Sequence, residues 1–264
     1  VMVYTSIYPD IIDNMCKPNI AKAFPDMKVS WFQGGTENVI TKITGEIKAD
    51  KVAADLLMVA DPSYYLKLQS DKRLLNYVSP NMKDVVSAKD KDGAWTAVRI
   101  SNMIIAYNTA KVKPEDAPKT FKELTEPKWK NKVAIPSPLL SGSAYVAVGV
   151  IADKYGWDYF KKLKDNGSKV EPGNSAIQNK LVTGEYQAAM ILEENILKIM
   201  AKGEPIKVVY PEDGTIVIPS PIAIFSSTTN PEAAKALTNW WLSKEGQEAI
   251  VKGWMHAVRD DVAP

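Results

Sequence analysis

Trp95-Thr-Ala-Val-Arg-Ile-Ser-Asn-Met-Ile-Ile-Ala-Tyr-Asn108 is a long, extended, β-rich run with no helix start or stop inside it. A second run of the same character is Thr215-Ile-Val-Ile-Pro-Ser-Pro-Ile-Ala-Ile-Phe225. Both are longer than a typical strand, and each is long enough to leave one folded body and enter another. Two such passages divide the chain into a first lobe built from both ends, 1–101 plus 222–264, and a second lobe of 102–221. That topology suits hinge closure over a ligand held between lobes.

Working outward from the passages, strand-like and helix-like segments alternate. Val1 to Thr5 reads as an apolar strand, Asp10 to Phe24 as a helix and Met27 to Gln33 as a strand. Val39, Ile40, Ile43 and Ile47 then recur at helical spacing, and Asp55 to Val59 is a short apolar strand ending at Ala60-Asp61-Pro62. Between the passages, Lys132–Pro136 and Ala188–Leu192 read as strands, and Ala144–Tyr155 and Ala176–Thr183 as helices. Asn230-Pro231 supplies a helix start with proline at its first position. The alternation predicts an α/β fold in which each lobe is a mainly parallel sheet flanked by helices.

Composition bounds the function. Lys plus Arg is 33 and Asp plus Glu is 31, a net charge of +2, so no basic footprint for nucleic acid is present. The chain has one cysteine, Cys16, and one histidine, His256, which excludes internal disulfides and cysteine- or histidine-cluster zinc sites. His256 reads as a surface or packing residue. No charged stretch followed by an apolar one opens the sequence, so a signal segment is not expected in it.

Three junctions place small or hydroxyl residues where a helix starts: Gly34-Gly35-Thr36, Ser141-Gly142-Ser143 and Gly173-Asn174-Ser175. Free backbone N–H groups at such a point, with the positive end of the helix dipole, bind anions. The same residues serve equally as N-caps and turns. Glu193-Glu194-Asn195 follows a strand and precedes a helical run. Its carboxylates suit either a helix start or the hydroxyl or ammonium end of a ligand. Arg99, on the first passage, suits an anion or a structural ion pair. Enzyme motifs are absent: no nucleophile elbow, no P-loop, and two adjacent glutamates that point apart if the backbone is extended.

Further stretches carry a family resemblance: Val3-Tyr-Thr-Ser6, Ala54-Asp-Leu-Leu-Met-Val-Ala-Asp61, Pro127-Lys-Trp-Lys-Asn-Lys-Val-Ala-Ile135, Ser141-Gly-Ser-Ala-Tyr145, Gly156-Trp-Asp-Tyr-Phe-Lys-Lys-Leu163, Gly184-Glu-Tyr-Gln-Ala-Ala189, Glu204-Pro-Ile-Lys-Val-Val-Tyr-Pro-Glu-Asp-Gly-Thr215 and Asn230-Pro-Glu-Ala-Ala234. In this order they resemble the bacterial ABC-transporter substrate-binding proteins of the ferric-iron-binding type, which share the two-lobed type II periplasmic binding fold. The resemblance implies an extracytoplasmic receptor with no cofactor and no catalysis. It further implies a monomer, with or without a lipid anchor, that serves a membrane ABC permease.

The ligand expected from the resemblance is not iron. Iron-binding members carry two successive tyrosines where this chain has Glu193 and Glu194. Their histidine falls at Tyr8 and their acidic ligand at Ala60, beside Asp61. The anion half matches at Ser141, Gly142, Ser143 and Asn174 or Ser175. Members without the tyrosines bind phosphorylated sugars or aminoalkyl phosphonates. By that resemblance Ser6, Gly35 and Thr36 complete the anion cradle, and Glu193, Glu194 and Glu212 read the hydroxyl or ammonium end. The expected ligand is a small organic anion with no resident metal. Ferric iron with a synergistic anion is the alternative, and a hydrolase or transferase on the same fold a further one.

Overall fold

The computed structural model describes residues 1–263, so residue 264, the end of the expected first lobe, lies outside the described residues. The chain forms two compact units: Val1–Ile100 with the segment from Pro219 onward, and Ser101–Ile218.

The first unit opens with β1 (Met2–Thr5). A continuous helical run follows, made of α1 (Pro9–Ile11), a π-helical turn (Ile12–Cys16) and α2 (Lys17–Ala23). Then come β2 (Ser30–Gln33), α3 (Thr36–Lys48), β3 (Leu56–Met58) and α4 (Pro62–Ser70). The strand β4 (Thr96–Asn108) carries the chain into the second unit.

There the order is β5 (Val133–Pro136), α5 (Gly142–Tyr155), α6 (Asp158–Asp165), β6 (Lys169–Glu171), α7 (Asn174–Val182), β7 (Ala188–Leu192), α8 (Glu193–Met200) and β8 (Ile206–Val209). The return is β9 (Ile216–Ile224), after which α9 (Pro231–Leu242) and α10 (Lys244–Lys252) finish the first unit.

The two units are wound alike. In the first, β1 lies between β2 and β3, parallel to both, and β9 pairs antiparallel with β3. In the second, β5 lies between β6 and β7, parallel to both; β4 pairs antiparallel with β7 on one side and with β8 on the other. Parallel neighbours require a helical crossover. Because the second strand of each set goes to one side of the first and the third to the other, the strand order reverses beside β1 and beside β5. Loops leaving the C-terminal ends of strands at such a reversal form the usual ligand crevice of an open α/β sheet.

Alternation along the strands builds a core on each sheet face. Val3, Leu56, Met58, Ile222 and Ile224 pack with Trp241 and Leu237 on one side of the first sheet. Tyr4, Leu57, Val59, Ala223 and Phe225 pack with Val39, Ile43 and Tyr65 on the other. Met103, Ile105, Val133, Ile135 and Met190 face one core of the second unit, and Ile104, Ala106, Ala134, Ala189 and Ile191 face its other. Each fully buried large aliphatic side chain contributes roughly 1.5–3 kcal/mol of transfer free energy.

One buried polar group ties the chain's end to the first core. Gln247, fully buried, donates to the carbonyls of Val98 (2.8 Å) and Trp241 (2.7 Å) and accepts from the Val258 N–H (2.7 Å). Next to it, Gly246 lies so close to the Trp240 carbonyl that an added Cβ would sit 2.0 Å from that oxygen.

Candidate functional site

At the C-terminal edge of β5, β6 and β7 three helices begin: α5, α7 and α8. Four amides at a helix start lack intrahelical partners, and at α5 they can be followed individually. The Ser141 N–H donates to the Ser137 carbonyl at 3.0 Å, and that of Ala144 to the Ser141 Oγ at 3.3 Å. The amides of Gly142 and Ser143 find no such partner among the described residues. At α7 the N-cap is Gly173, which has no side chain to offer, and no side chain caps the helix. Neither first turn contains an acidic residue, so neither helix offsets the positive end of its dipole with its own side chains.

Asn174 joins the three starts. Its Nδ2 donates to the Ser143 Oγ at 3.3 Å, and its Oδ1 accepts the Leu192 N–H, at the end of β7, at 3.2 Å. Ser143 in turn shares a 2.9 Å hydrogen bond with Ser141. Asn174 and Ser143 are buried and, with Ser141, form one hydrogen-bonded patch of donors beside Gly142, while Ser175, next to Asn174 in sequence, is exposed. The patch can hold a multiply charged oxyanion through amide and hydroxyl hydrogen bonds without a cationic side chain.

Glu193 and Glu194 are the first two residues of α8, both buried. The expectation of extended backbone there is corrected: the helix starts at the end of β7 with no linker. Carboxylates are favourable in a helix's first turn. The antiparallel register supplies their partners. Met103 pairs with Leu192, so the next two residues of each strand direction come opposite one another. The Ser101 hydroxyl donates to Glu194 at 2.8 Å and the Asn102 amide to Glu193 at 2.9 Å. The Tyr210 phenol also donates to Glu193. Burial first, then this hydrogen bond and the Glu193 charge, push the Tyr210 phenol up to about 12. Ser101, Asn102 and Tyr210 were missed by sequence reasoning. The one signal for Ser101 and Asn102 was a polar pair interrupting the apolar run Ile100–Tyr107; Tyr210 had none.

Glu212 is not brought to this patch. Its amide bonds the Lys119 carbonyl. The neighbouring Asp213 accepts from the Tyr155 phenol (2.6 Å) and the Phe121 N–H (3.1 Å), and its carbonyl from Lys154. Those contacts fix the loop at the C-terminal end of α5, about 20 Å of helix from Ser141.

The first unit presents its own set at the ends of β1, β2 and β3. The Ser6 N–H donates to the Met58 carbonyl (3.1 Å) and the Gly34 N–H to that of Thr5 (3.2 Å), which gathers the three strand ends. Arg99, buried, directs Nη2 to the Ser6 Oγ at 3.3 Å and Nη1 to the Met255 Sδ at 3.4 Å. Tyr8 is the N-cap of α1, its carbonyl accepting from Ile11 and Ile12. Gly35 is the N-cap of α3, without a side-chain cap, and Thr36 is buried at its first position. Asp61 caps α4 by accepting from the Ser63 N–H (2.9 Å) and hydroxyl (2.6 Å). This edge, like the start of α8, carries carboxylates. Glu37 stands in the first turn of α3, and burial, followed by the Asp61 charge, raises its carboxyl above the usual range.

His256 lies in a two-way backbone bridge with Ile100. Among the described residues no three His, Cys, Asp or Glu side chains gather as a metal site. No helix of the described residues is long and apolar enough to cross a membrane.

Comparison with known proteins fits this geometry. Residues 51–264 match the family described as bacterial extracellular solute-binding protein. A Salmonella typhimurium periplasmic protein assigned to 2-aminoethylphosphonate binding is 26% identical over 254 residues, 89% of this chain and 71% of its own. An iron uptake protein of Synechocystis is 27% identical over 246 residues, 86% of this chain and 67% of its own. The periplasmic binding protein AfuA of Actinobacillus pleuropneumoniae, solved with fructose-6-phosphate bound, superimposes with a TM-score of 0.89. It is 27% identical to this chain and covers 100% of it and 86% of AfuA. The chain therefore belongs to the bacterial extracellular solute-binding proteins, has the type II periplasmic binding fold, and is a binding protein rather than an enzyme.

Proposed function

We propose that the protein captures a small organic anion bearing a phosphoryl or phosphonyl group and hands it to a membrane ABC permease. The observation that carries this reading is the 3.3 Å bond from Asn174 to Ser143, which unites two helix starts that have no acidic residue in their first turns. Gly142, Ser143 and the amides of α7 hold the anionic group, with the Ser141 and Ser175 hydroxyls beside them. The AfuA complex and the Salmonella relative support the ligand class, since both names carry a phosphorus oxyanion.

Glu193 and Glu194, at the start of α8 in the same unit, are assigned the hydroxyl or ammonium end of the ligand. In the first unit, taken by itself, Glu37 and Asp61 with Ser6, Tyr8, Gly35 and Thr36 suit hydroxyl or ammonium groups better than an anion, with Arg99 holding Ser6 in place. The receptor is taken to act as a monomer.

The Synechocystis relative supports a second reading, ferric iron with a synergistic anion. Against it stand glutamates in place of paired tyrosines and a Tyr210 phenol whose pKa is raised, which disfavours the phenolate that Fe³⁺ prefers. Thermal-shift titration separates the two. Fructose 6-phosphate or 2-aminoethylphosphonate should raise Tm in a saturable manner. Silence toward both, with a visible charge-transfer band on adding ferric citrate, would establish iron instead.

A further inference from the structure

The anion patch has an apolar rim. Ser137, buried, organises the turn after β5: its hydroxyl accepts the Leu139 N–H at 3.3 Å, and its carbonyl accepts those of Leu140 (3.2 Å) and Ser141 (3.0 Å). The turn so held presents Leu139 with 80% of its surface exposed and Leu140 with 43%. Tyr145, 53% exposed, stands four residues after Ser141 on the same face of α5. Helical side chains lean toward the N-terminus, which directs Tyr145 toward the turn that contains Ser141 and Gly142.

Single exposed apolar residues need no explanation, but these three bracket the donors of the α5 start, Leu139 and Leu140 just before Ser141 and Tyr145 one turn after it. Sugar hydroxyls would leave these side chains without a complementary partner. We infer that the solute carries an apolar or aromatic body next to its anionic group, seated on Leu139, Leu140 and Tyr145. This rests on the phosphoryl-binding reading above and narrows it: donors fix the head, and removal of apolar surface from water fixes the body. The occupant is the ligand rather than a protein partner because the rim is continuous with the Ser141 cap itself.

Calorimetry with inorganic phosphate, glycerol 3-phosphate and phenyl phosphate tests it. Phenyl phosphate should bind at least ~10-fold more tightly than glycerol 3-phosphate, as expected from covering a few tens of Å² of apolar surface. In L139S/L140S, whose sites are exposed, that preference should collapse while inorganic phosphate binding stays unchanged. Equal affinity for the two organic phosphates in the native protein overturns the inference and leaves the phosphoryl-binding reading intact. Binding of phenyl phosphate undiminished in L139S/L140S, with loss only of transport in cells, also overturns it and gives the rim to the permease. If none of the three phosphates binds, the phosphoryl-binding reading fails and this inference falls with it.

Discussion

Substituting Ser175 by aspartate should raise stability and destroy ligand binding together, two effects that a merely structural helix start cannot combine. Ser175 is exposed, at the second position of α7, a helix with no side-chain cap and no acidic residue in its first turn. A carboxylate there meets the positive end of the dipole, worth about 0.3–1 kcal/mol. For a domain of this size that corresponds to a Tm rise of about 1–3 °C. The same charge stands beside the proposed anion. At a separation of roughly 6 Å and an effective dielectric constant near 20, each pair of unit charges repels by about 3 kcal/mol, or roughly 100-fold in affinity. The assay is paired: thermal unfolding without ligand, and titration with fructose 6-phosphate. A Ser175→Asp protein that is slightly more stable yet binds the ligand as before would refute the placement of the anion at α7. A protein with both properties lost would show that the helix start tolerates no carboxylate for reasons of packing.

Three further outcomes are expected. Gln247→Met, which keeps most of the volume, leaves the Val258 N–H and two carbonyls unpaired in the core; it should lower unfolding free energy by about 2–4 kcal/mol in urea titration. Hydrogen bonds from Lys180 (2.8 Å) and Tyr186 hold the Glu171 carboxyl below its usual range. A group depressed in this way stabilises the fold above its unfolded pKa of about 4.3. That contribution disappears as pH falls through the lower folded value, so Glu171→Gln should be less stable than native protein at pH 7 and should match it in strong acid. A deficit that persisted unchanged at pH 2 would contradict the assignment. Burial pushes the Cys16 thiol up to about 12, against a smaller lowering by Arg99. The native protein should therefore not react with a thiol reagent at pH 8, and should do so promptly in denaturant; rapid reaction without denaturant would be inconsistent with that burial.

What could be read in the sequence was whatever local spacing encodes. The helix read at Ala144–Tyr155, which the structure begins two residues earlier at Gly142, and the strand Ala188–Leu192 follow from periodicity and punctuation. The π-helical turn at Ile12–Cys16 left no mark, because a one-residue widening of a helix hardly disturbs apolar spacing. Non-local partners were likewise hidden. Asn174 and Ser143 lie 31 residues apart, and only the winding of β5, β6 and β7 brings their helix starts together. Ser101 and Asn102 meet Glu194 and Glu193 because Met103 pairs with Leu192, and a one-residue slip would have turned them to the other face. Glu212 shows the converse. Its place in a family-like stretch suggested a ligand contact, yet Asp213 anchors that loop to the far end of α5.

The central claim, that the united starts of α5 and α7 hold a phosphorus oxyanion, is tested most directly by calorimetric titration of fructose 6-phosphate and 2-aminoethylphosphonate into native protein and Asn174→Ala. The account predicts saturable heat with at least one of them and its loss in the variant while the fold persists. Heat that survives unchanged in Asn174→Ala, or appears only with ferric citrate, would contradict it.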